Sequence, residues 1–226
     1  MWEVLLSACL LSDPAACRAE RLPGGESYES CRAEADRLRT AAFGPEWQAQ
    51  DWPCAPAGET PAFAVTEVAD GVWVHKGQHA VPHAANGGDV ANLGFVIGEA
   101  SVAVIDAGST PDIARQLLQA IRTRTDLPVR WLILTHMHPD HALGAEVFAK
   151  SGAAIVGHAR LPAALAARWE NYVAAMARET GAPADGFDPS WIANLETAPE
   201  QIDLGGRVLS LIQRPVAHTD NDLTVD

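Results

Sequence analysis

The stretch WLILTHMHPDHALG, residues 131–144, constrains this chain more than any other feature, because an apolar run leads directly into a polar cluster. Residues 131–134 have the length and bulk of a strand that is buried on both faces. Pro139 follows shortly afterwards and suits the first turn of a helix. The pattern therefore predicts a buried strand, a short loop and a helix, with polar side chains gathered above the strand end.

The polar cluster consists of side-chain types that bind metal ions. His136 and His138 share one face, because side chains two positions apart in a strand point to the same side, and Asp140 and His141 lie where the helix opens. Imidazole and carboxylate are preferred ligands of zinc, and four donors exceed what one open catalytic zinc requires. We therefore expect two zinc ions, one on the first pair and one on the second, with a hydroxide between them as nucleophile. The alternative is a polar loop whose histidines bond to backbone carbonyls.

Residues 135–141, THMHPDH, resemble the T-H-x-H-x-D-H metal motif of the metallo-β-lactamase superfamily. Two further segments are similar to that family, VIDAGST at residues 104–110 and PVAHTDNDL at residues 215–223. The resemblance extends over residues 61–226. It implies an α/β (α+β) fold, the four-layer αββα sandwich of the superfamily, and a metal-dependent hydrolase.

The resemblance also implies roles for single residues. His218 becomes the third histidine of the first metal site, far along the chain from His136 and His138. Asp106, although it closes a predicted strand, is implied to organise the loop beneath the site instead of binding metal. Asp140 is expected to orient the nucleophile in addition to binding the second metal.

Four further polar residues are expected to support the site. Thr219 and Asp222 would brace the loop that carries His218, since a second carboxylate holds a ligand imidazole in the useful tautomer. His79 and His83 belong to the glycine- and asparagine-bearing loop of residues 79–92, which in the superfamily flanks the metal cleft. Contact with substrate is the hypothesis for these two, and exposed loop histidines without such a role are the alternative.

One part of the family pattern has no counterpart in this sequence. The superfamily supplies an aspartate that bridges both metals and a final histidine for the second metal, and both come after the point where this sequence ends, at LTVD. We expect the sequence to be the N-terminal part of a longer protein, which would leave the sandwich C-terminally incomplete. A defective second site is the alternative, and in either case the first metal should be held better.

The implied reaction is hydrolysis, in which a metal-bound hydroxide attacks the carbonyl of an ester, lactone, thioester or amide. The motif does not identify the substrate, and a β-lactam is a minor possibility. A narrower resemblance comes from AANGGDVANLGFVIG at residues 84–98 and the following SVAVIDAGST, which are similar to zinc metallohydrolases of quinoprotein relay systems. That resemblance implies a PQQ-dependent dehydrogenase system as partner and a periplasmic location.

Two functions of other classes are alternatives to zinc-dependent hydrolysis. The same ligand set can hold iron in a redox enzyme similar to persulfide dioxygenases. A non-catalytic metal-binding module is the other alternative, because the early chain end and the cysteine-containing segment both depart from a plain hydrolase.

All four cysteines lie in the first quarter of the chain. Their even number predicts two disulfides in an oxidising compartment, with three pairings open, while a structural zinc and reduced thiols are the alternatives. We expect a small N-terminal unit with its linker over residues 1–60, the linker running from Pro53 to Pro61, and a metallo-β-lactamase-like domain over residues 61–226. The cysteines are Cys9, Cys17, Cys31 and Cys54.

The net charge and the lengths of the apolar runs exclude some classes of binding partner. The formal net charge of −13 disfavours nucleic acid and anionic membranes, so a small-molecule substrate is expected. No apolar run is long enough to cross a bilayer. The start, MWEVLLSACLL, has a short apolar stretch and Glu3 where a positive charge belongs, which predicts no cleavable signal. That expectation conflicts with a periplasmic location, and a cytoplasmic one is the alternative.

Apolar spacing predicts several further elements. A hairpin should turn at Asp70 and Gly71, and helices should cover residues 29–40, begin at Pro111, and run unbroken over residues 162–180. A helix should also follow the metal motif and stop at Gly152.

Overall fold

The computed structural model describes residues 2–12, 17–26, 28–38, 44–49, 54–56 and 63–226. The first part of the chain forms strands β1 (Trp2–Leu10), β2 (Cys17–Gly25), β3 (Trp47–Ala49) and β4 (Cys54–Pro56), with helix α1 (Tyr28–Leu38) between β2 and β3. Strand β1 pairs antiparallel with all three other strands, and α1 packs against β1, β2 and β4. The predicted helix of residues 29–40 is confirmed as α1 over residues 29–38, and residues 39–40 lie outside the described part of the chain.

The predicted linker at residues 53–61 is not simply a linker. Its residues 54–56 form β4, which pairs with residues 2–4 of β1, because extended backbone beside an open strand edge gains ladder hydrogen bonds. The remaining residues of that stretch lie outside the described part of the chain.

The larger sheet has seven strands in the order β11-β10-β9-β8-β7-β6-β5. Strands β5 to β8 pair antiparallel, whereas β8 to β11 run parallel to one another. The predicted hairpin at Asp70 is confirmed, and Gly71 takes the positive φ of 66° that its turn requires. The strands are β5 (Val65–Ala69), β6 (Val72–His75), β7 (Leu93–Ile97), β8 (Val102–Ile105), β9 (Val129–Ile133), β10 (Ala154–Gly157) and β11 (Glu196–Thr197).

Helices α2 (Pro111–Arg122), α3 (Pro139–Ala142), α4 (Ala145–Lys150), α5 (Leu161–Ala166) and α6 (Trp169–Thr180) connect these strands. The prediction of one helix over residues 162–180 is wrong, because the chain bends between α5 and α6. Arg168 leaves helical geometry at φ −122° and ψ −8°. The bend buries Trp169, whose ring meets that of Trp191 edge-on at 5.9 Å between centroids, so core packing explains the break.

A second, three-stranded sheet packs on one face of the larger sheet. It contains β12 (Gln201–Asp203), β13 (Val208–Gln213) and β14 (Leu223–Val225) in sequence order. Ile202, Leu209 and Leu223 of this sheet share a core cluster with Val96 and Ile133 of the larger sheet. The helices form a separate core on the opposite face. Helix, sheet and sheet are successive layers of the predicted sandwich, and the mixed α/β fold class is confirmed.

The helix that follows the metal motif is broken into α3 and α4 at Gly144, whose tight packing explains the break. A Cβ at this position would collide with the carbonyl oxygen of Ala107 and lie 2.7 Å from Cβ of Ala114. The Gly144 amide donates to the Gly108 oxygen at 3.0 Å, and the Ala107 amide donates to the His141 oxygen at 2.7 Å. The α3–α4 junction is therefore fixed against the turn that follows β8.

Within the described part of the chain, no helix has both the length and the apolar character needed to span a bilayer.

We expect Gly144→Ala to lower the free energy of unfolding by about 1–3 kcal/mol, because backbone atoms that cannot rotate away surround the added methyl group. Gly186→Ala is the matched control, since its Cβ would meet only Cγ of Pro183, at 3.8 Å. Urea unfolding of both variants measures the difference, and equal stability of the two would contradict the close approach at Gly144.

Candidate metal centre

The site begins where two neighbouring parallel strands end. Asp106 follows β8 and residues 134–136 follow β9, and parallel strands present their carboxyl ends at the same sheet edge. The buried Asp106 carboxylate accepts hydrogen bonds from the Thr135 amide at 2.8 Å and from the Thr135 hydroxyl at 2.8 Å. It also lies 2.7 Å from Nδ1 of His141. One carboxylate therefore connects the end of β9 to helix α3.

The backbone of Asp106 is strained. Its φ of 61° makes it the one non-glycine residue with a positive φ among the residues that the structure describes. Such a conformation persists where surrounding contacts over-determine it, and the hydrogen bonds of the carboxylate supply them. The strain directs the carboxylate beneath the histidines.

The same contacts fix the tautomers of two histidines. The hydroxyl hydrogen of Thr135 goes to Asp106, so the hydroxyl oxygen accepts from Nδ1 of His136 at 2.9 Å. His141 likewise donates Nδ1–H to Asp106. Both rings then carry a lone pair on Nε2, which is the atom free to bind a metal. Sequence reasoning did not identify Thr135 as a site residue, although its position just before the first histidine is a usable signal.

Three imidazole rings converge at one point. Nδ1 of His138 lies 3.1 Å from Nε2 of His136 and 3.0 Å from Nε2 of His218. The three ligand nitrogens lie within 4.8 Å of one another.

Hydrogen bonding cannot account for this convergence. A single ring nitrogen carries either one hydrogen or one lone pair in its plane, so Nδ1 of His138 satisfies only one of its two neighbours. A tetrahedral zinc with bonds of about 2.0–2.1 Å separates its ligand nitrogens by roughly 3.4 Å, close to both distances. The donor set therefore fits a small divalent cation.

The rings of His136, which is buried, and His138, which is half-buried, are also in the protonation state that a metal requires. Burial, with a contribution from His141, lowers the pKa of His136 to about 4. Burial and the neighbouring His218 lower the pKa of His138 as well. These two imidazoles are neutral at physiological pH, so no proton has to leave before their lone pairs can bind.

A second group of donors adjoins the first. Oδ2 of Asp140 lies 3.5 Å from Nε2 of His141, and the ring of His141 lies 4.3 Å from that of His136 between centroids. Burial opposes protonation of His141, but the bond to Asp106 and the charges of Asp106 and Asp140 outweigh it and raise its pKa. The structure thus brings together every residue that the sequence motif predicted, in two adjoining groups.

The loop that carries His218 is fixed to the strand beneath it. The Thr219 amide donates to both carboxylate oxygens of Asp222, at 3.1 and 3.0 Å. The Leu223 amide then donates to the carbonyl oxygen of Thr135 at 2.8 Å. Thr219 and Asp222 therefore make the contacts expected of bracing residues, and their effect on the metal stays a prediction.

His79 and His83 are both exposed. The His83 amide donates to Oδ1 of Asn86 at 2.9 Å, and Nδ1 of His83 accepts from the Ala85 amide at 3.2 Å. These bonds shape the loop itself. A role of either histidine in substrate binding stays a prediction.

Comparison with known proteins gives a match over most of the site. A family model described as the metallo-beta-lactamase superfamily matches residues 86–222. A linear primary-alkylsulfatase from Pseudomonas sp. (strain ATCC 19151) is 32% identical over 58 residues, which is 26% of this chain and 11% of that protein.

Two solved structures are similar in fold. A metallo-beta-lactamase from Pontibacter korlensis has a TM-score of 0.52 at 20% identity, covering 72% of this chain and 66% of its own. A motif mutant of the metallo-beta-lactamase from Cronobacter sakazakii has a TM-score of 0.50 at 22% identity, covering 71% of this chain and 57% of its own. The chain thus spans less than two thirds of the length of each of these three proteins, and structural likeness at such low identity shows a shared fold alone.

We expect Asp106→Asn to weaken zinc binding by about 10- to 100-fold, because an amide cannot accept from Thr135 and His141 through the same oxygen pair. Competition with a chromophoric chelator measures the affinity. Asp112→Asn is the control, since Asp112 is an exposed residue that pairs with Arg115 on its own helix. Unchanged zinc affinity in Asp106→Asn would contradict the positioning role.

Proposed function

Because the chain belongs to the metallo-beta-lactamase superfamily, we propose that it is a zinc-dependent hydrolase. The observation that carries the proposal is the meeting of three imidazole nitrogens around one point, which hydrogen bonding does not explain. His136 and His218 would bind the first zinc through Nε2, and His138 would bind it through Nδ1. Three protein ligands leave a fourth position open, as catalytic zinc sites require.

Asp140 and His141 would bind a second zinc. Both project from the short helix α3, and Asp106 orients the imidazole so that Nε2 faces Oδ2 of Asp140. Bound zinc would supply a water acidified toward neutral pH and a Lewis acid for the substrate carbonyl. The protein's own task is then positional, because Asp140 can accept a hydrogen bond from the attacking water while α3 keeps the donors in place.

The proposed substrates carry an ester, lactone, thioester or amide group. His218 is exposed while His136 is buried, so a substrate would approach from the side of the His218 loop. The 58-residue similarity to a linear primary-alkylsulfatase adds a linear alkyl sulfate to the compounds worth testing. The exposed His79 and His83 are proposed to contact substrate from the neighbouring loop.

The biological setting is part of the proposal. The similarity of residues 84–110 to quinoprotein relay metallohydrolases supports a partner in a PQQ-dependent dehydrogenase system and a periplasmic location. The division into a small N-terminal unit over residues 1–60 and a hydrolase domain over residues 61–226 is likewise proposed. Strand β5, which begins the larger sheet at Val65, is consistent with that boundary.

We expect His138→Ala and His218→Ala each to lose the first zinc, because either change leaves only two nitrogen donors at the point of convergence. Elemental analysis after dialysis against buffered zinc gives the stoichiometry. His83→Ala is the control and should retain the zinc of the unmodified chain, since the hydrogen bonds of His83 stay within its own loop. Tight zinc retained by either of the first two variants would refute the ligand assignment.

We expect the zinc-loaded full-length protein to hydrolyse at least one member of a panel of esters, lactones, thioesters, β-lactams and linear alkyl sulfates. His138→Ala and His218→Ala should lose that activity, whereas His83→Ala should keep chemical turnover and change KM alone if it contacts substrate. Metal analysis of protein purified with and without air separates zinc from iron. Zinc-loaded full-length protein that is inactive on the whole panel would favour a non-catalytic metal-binding module, and iron as the native metal would favour a redox enzyme.

A further inference from the structure

The N-terminal sheet places its cysteines in two separate positions. Cys9 of β1 and Cys17 of β2 are direct cross-strand partners, whereas Cys54 of β4 lies opposite Val4 of β1. Cys31 of α1 is fully buried and disulfide-bonded, and its Sγ lies 3.5 Å from the backbone oxygen of Glu3. Cys31 is therefore next to the Val4 end of β1.

The distance along β1 separates the two positions. Val4 and Cys9 are five residues apart, which in a strand corresponds to about 17 Å. A disulfide requires Cα atoms within about 7 Å of each other. Cys31, beside Glu3, is thus too far from Cys9 and from its partner Cys17.

The faces of the sheet lead to the same conclusion. Val4 and Ala8 are fully buried and lie on the same face of β1, and α1, which packs on this sheet, buries Cys31 and Ala35. Because successive residues of a strand alternate between its two faces, Cys9 is assigned to the face opposite Val4 and Ala8. Directly opposed residues of paired strands share a face of the sheet. Cys54 is therefore assigned to the face of Val4, and Cys17 to the face of Cys9.

We infer that the N-terminal unit is closed by two disulfides, Cys9–Cys17 and Cys31–Cys54. The first joins the two arms of the β1–β2 hairpin, where directly opposed Cα atoms lie about 4.5–5.5 Å apart, within the range of a disulfide. The second fastens α1 to the edge strand β4. Each bond forms by oxidation of two thiols to one disulfide, and oxidised glutathione, which accepts both electrons and both protons, can serve as the oxidant.

The pairing is independent of the proposed hydrolase function, because no cysteine follows Cys54 and all the metal-site residues lie beyond residue 105. Reduction should therefore open the N-terminal unit without releasing zinc.

Digestion with trypsin distinguishes the three possible disulfide pairings. Cleavage after Arg18 leaves Cys9 and Cys17 in one peptide, residues 1–18, whereas Cys31 falls in residues 22–32 and Cys54 in residues 40–76. After equilibration with reduced and oxidised glutathione and alkylation of free thiols, we expect peptide 1–18 two hydrogens lighter than its reduced form. Peptides 22–32 and 40–76 should appear as one cross-linked species.

Both other pairings join peptide 1–18 to the other two peptides, so that single three-peptide species would overturn the inference. Alkylation of all four thiols would overturn it as well. As a second measurement, Cys31→Ser should free one thiol in peptide 40–76, and Cys9→Ser should free one in peptide 1–18. A thiol freed in peptide 1–18 by Cys31→Ser would also exclude the proposed pairing.

Discussion

The carboxylate of Asp106 connects the end of β8 to the end of β9 and to helix α3. It accepts from the backbone and side chain of Thr135 at the end of β9, and from His141 on α3. Through Thr135 it also sets which nitrogen of His136 carries hydrogen. A single buried charge, satisfied by several donors, therefore fixes a strand end, a helix and two tautomers. The positive φ at Asp106 is the conformational cost of reaching all of them from β8.

Bringing several imidazoles together is tolerable only where they are neutral. Burial lowers the pKa of His136 to about 4, and the pKa of His138 is lowered by the same cause. Charged rings at these separations would repel one another in a partly desolvated space. The consequence is a set of ring nitrogens that converge on one point with too few hydrogens to bond to one another, which is an arrangement that a bound cation would satisfy.

Much of this arrangement could be predicted from the sequence, because it depends on local patterns. The apolar run before Thr135 predicted β9, and Pro139 predicted the helix start. His136 and His138 do converge, but both lie beyond Ile133, the last residue of β9, so the alternation of side chains in a strand is not what brings them together. The breaks could not be predicted in the same way. The bend before Trp169 depends on packing against Trp191, and the break at Gly144 depends on the carbonyl of Ala107. Both are contacts with distant parts of the chain, which the local spacing of apolar residues does not reveal. The strained backbone of Asp106 and the role of Thr135 could not be predicted either, because both depend on contacts between the end of β8 and the end of β9, which are far apart in sequence.

The three converging histidines differ in how firmly the fold holds them. His136 is buried and closely follows a central strand, with its ring bonded to Thr135. His218 is exposed, on a loop, and depends on Asp222 bracing Thr219 and on one bond from Leu223 to the end of β9. Rigid elements give a site its accuracy, whereas a loop gives it access. A metal held by both kinds of ligand would be fixed on the side of the sheet by the buried His136 and approachable on the side of the loop that carries the exposed His218.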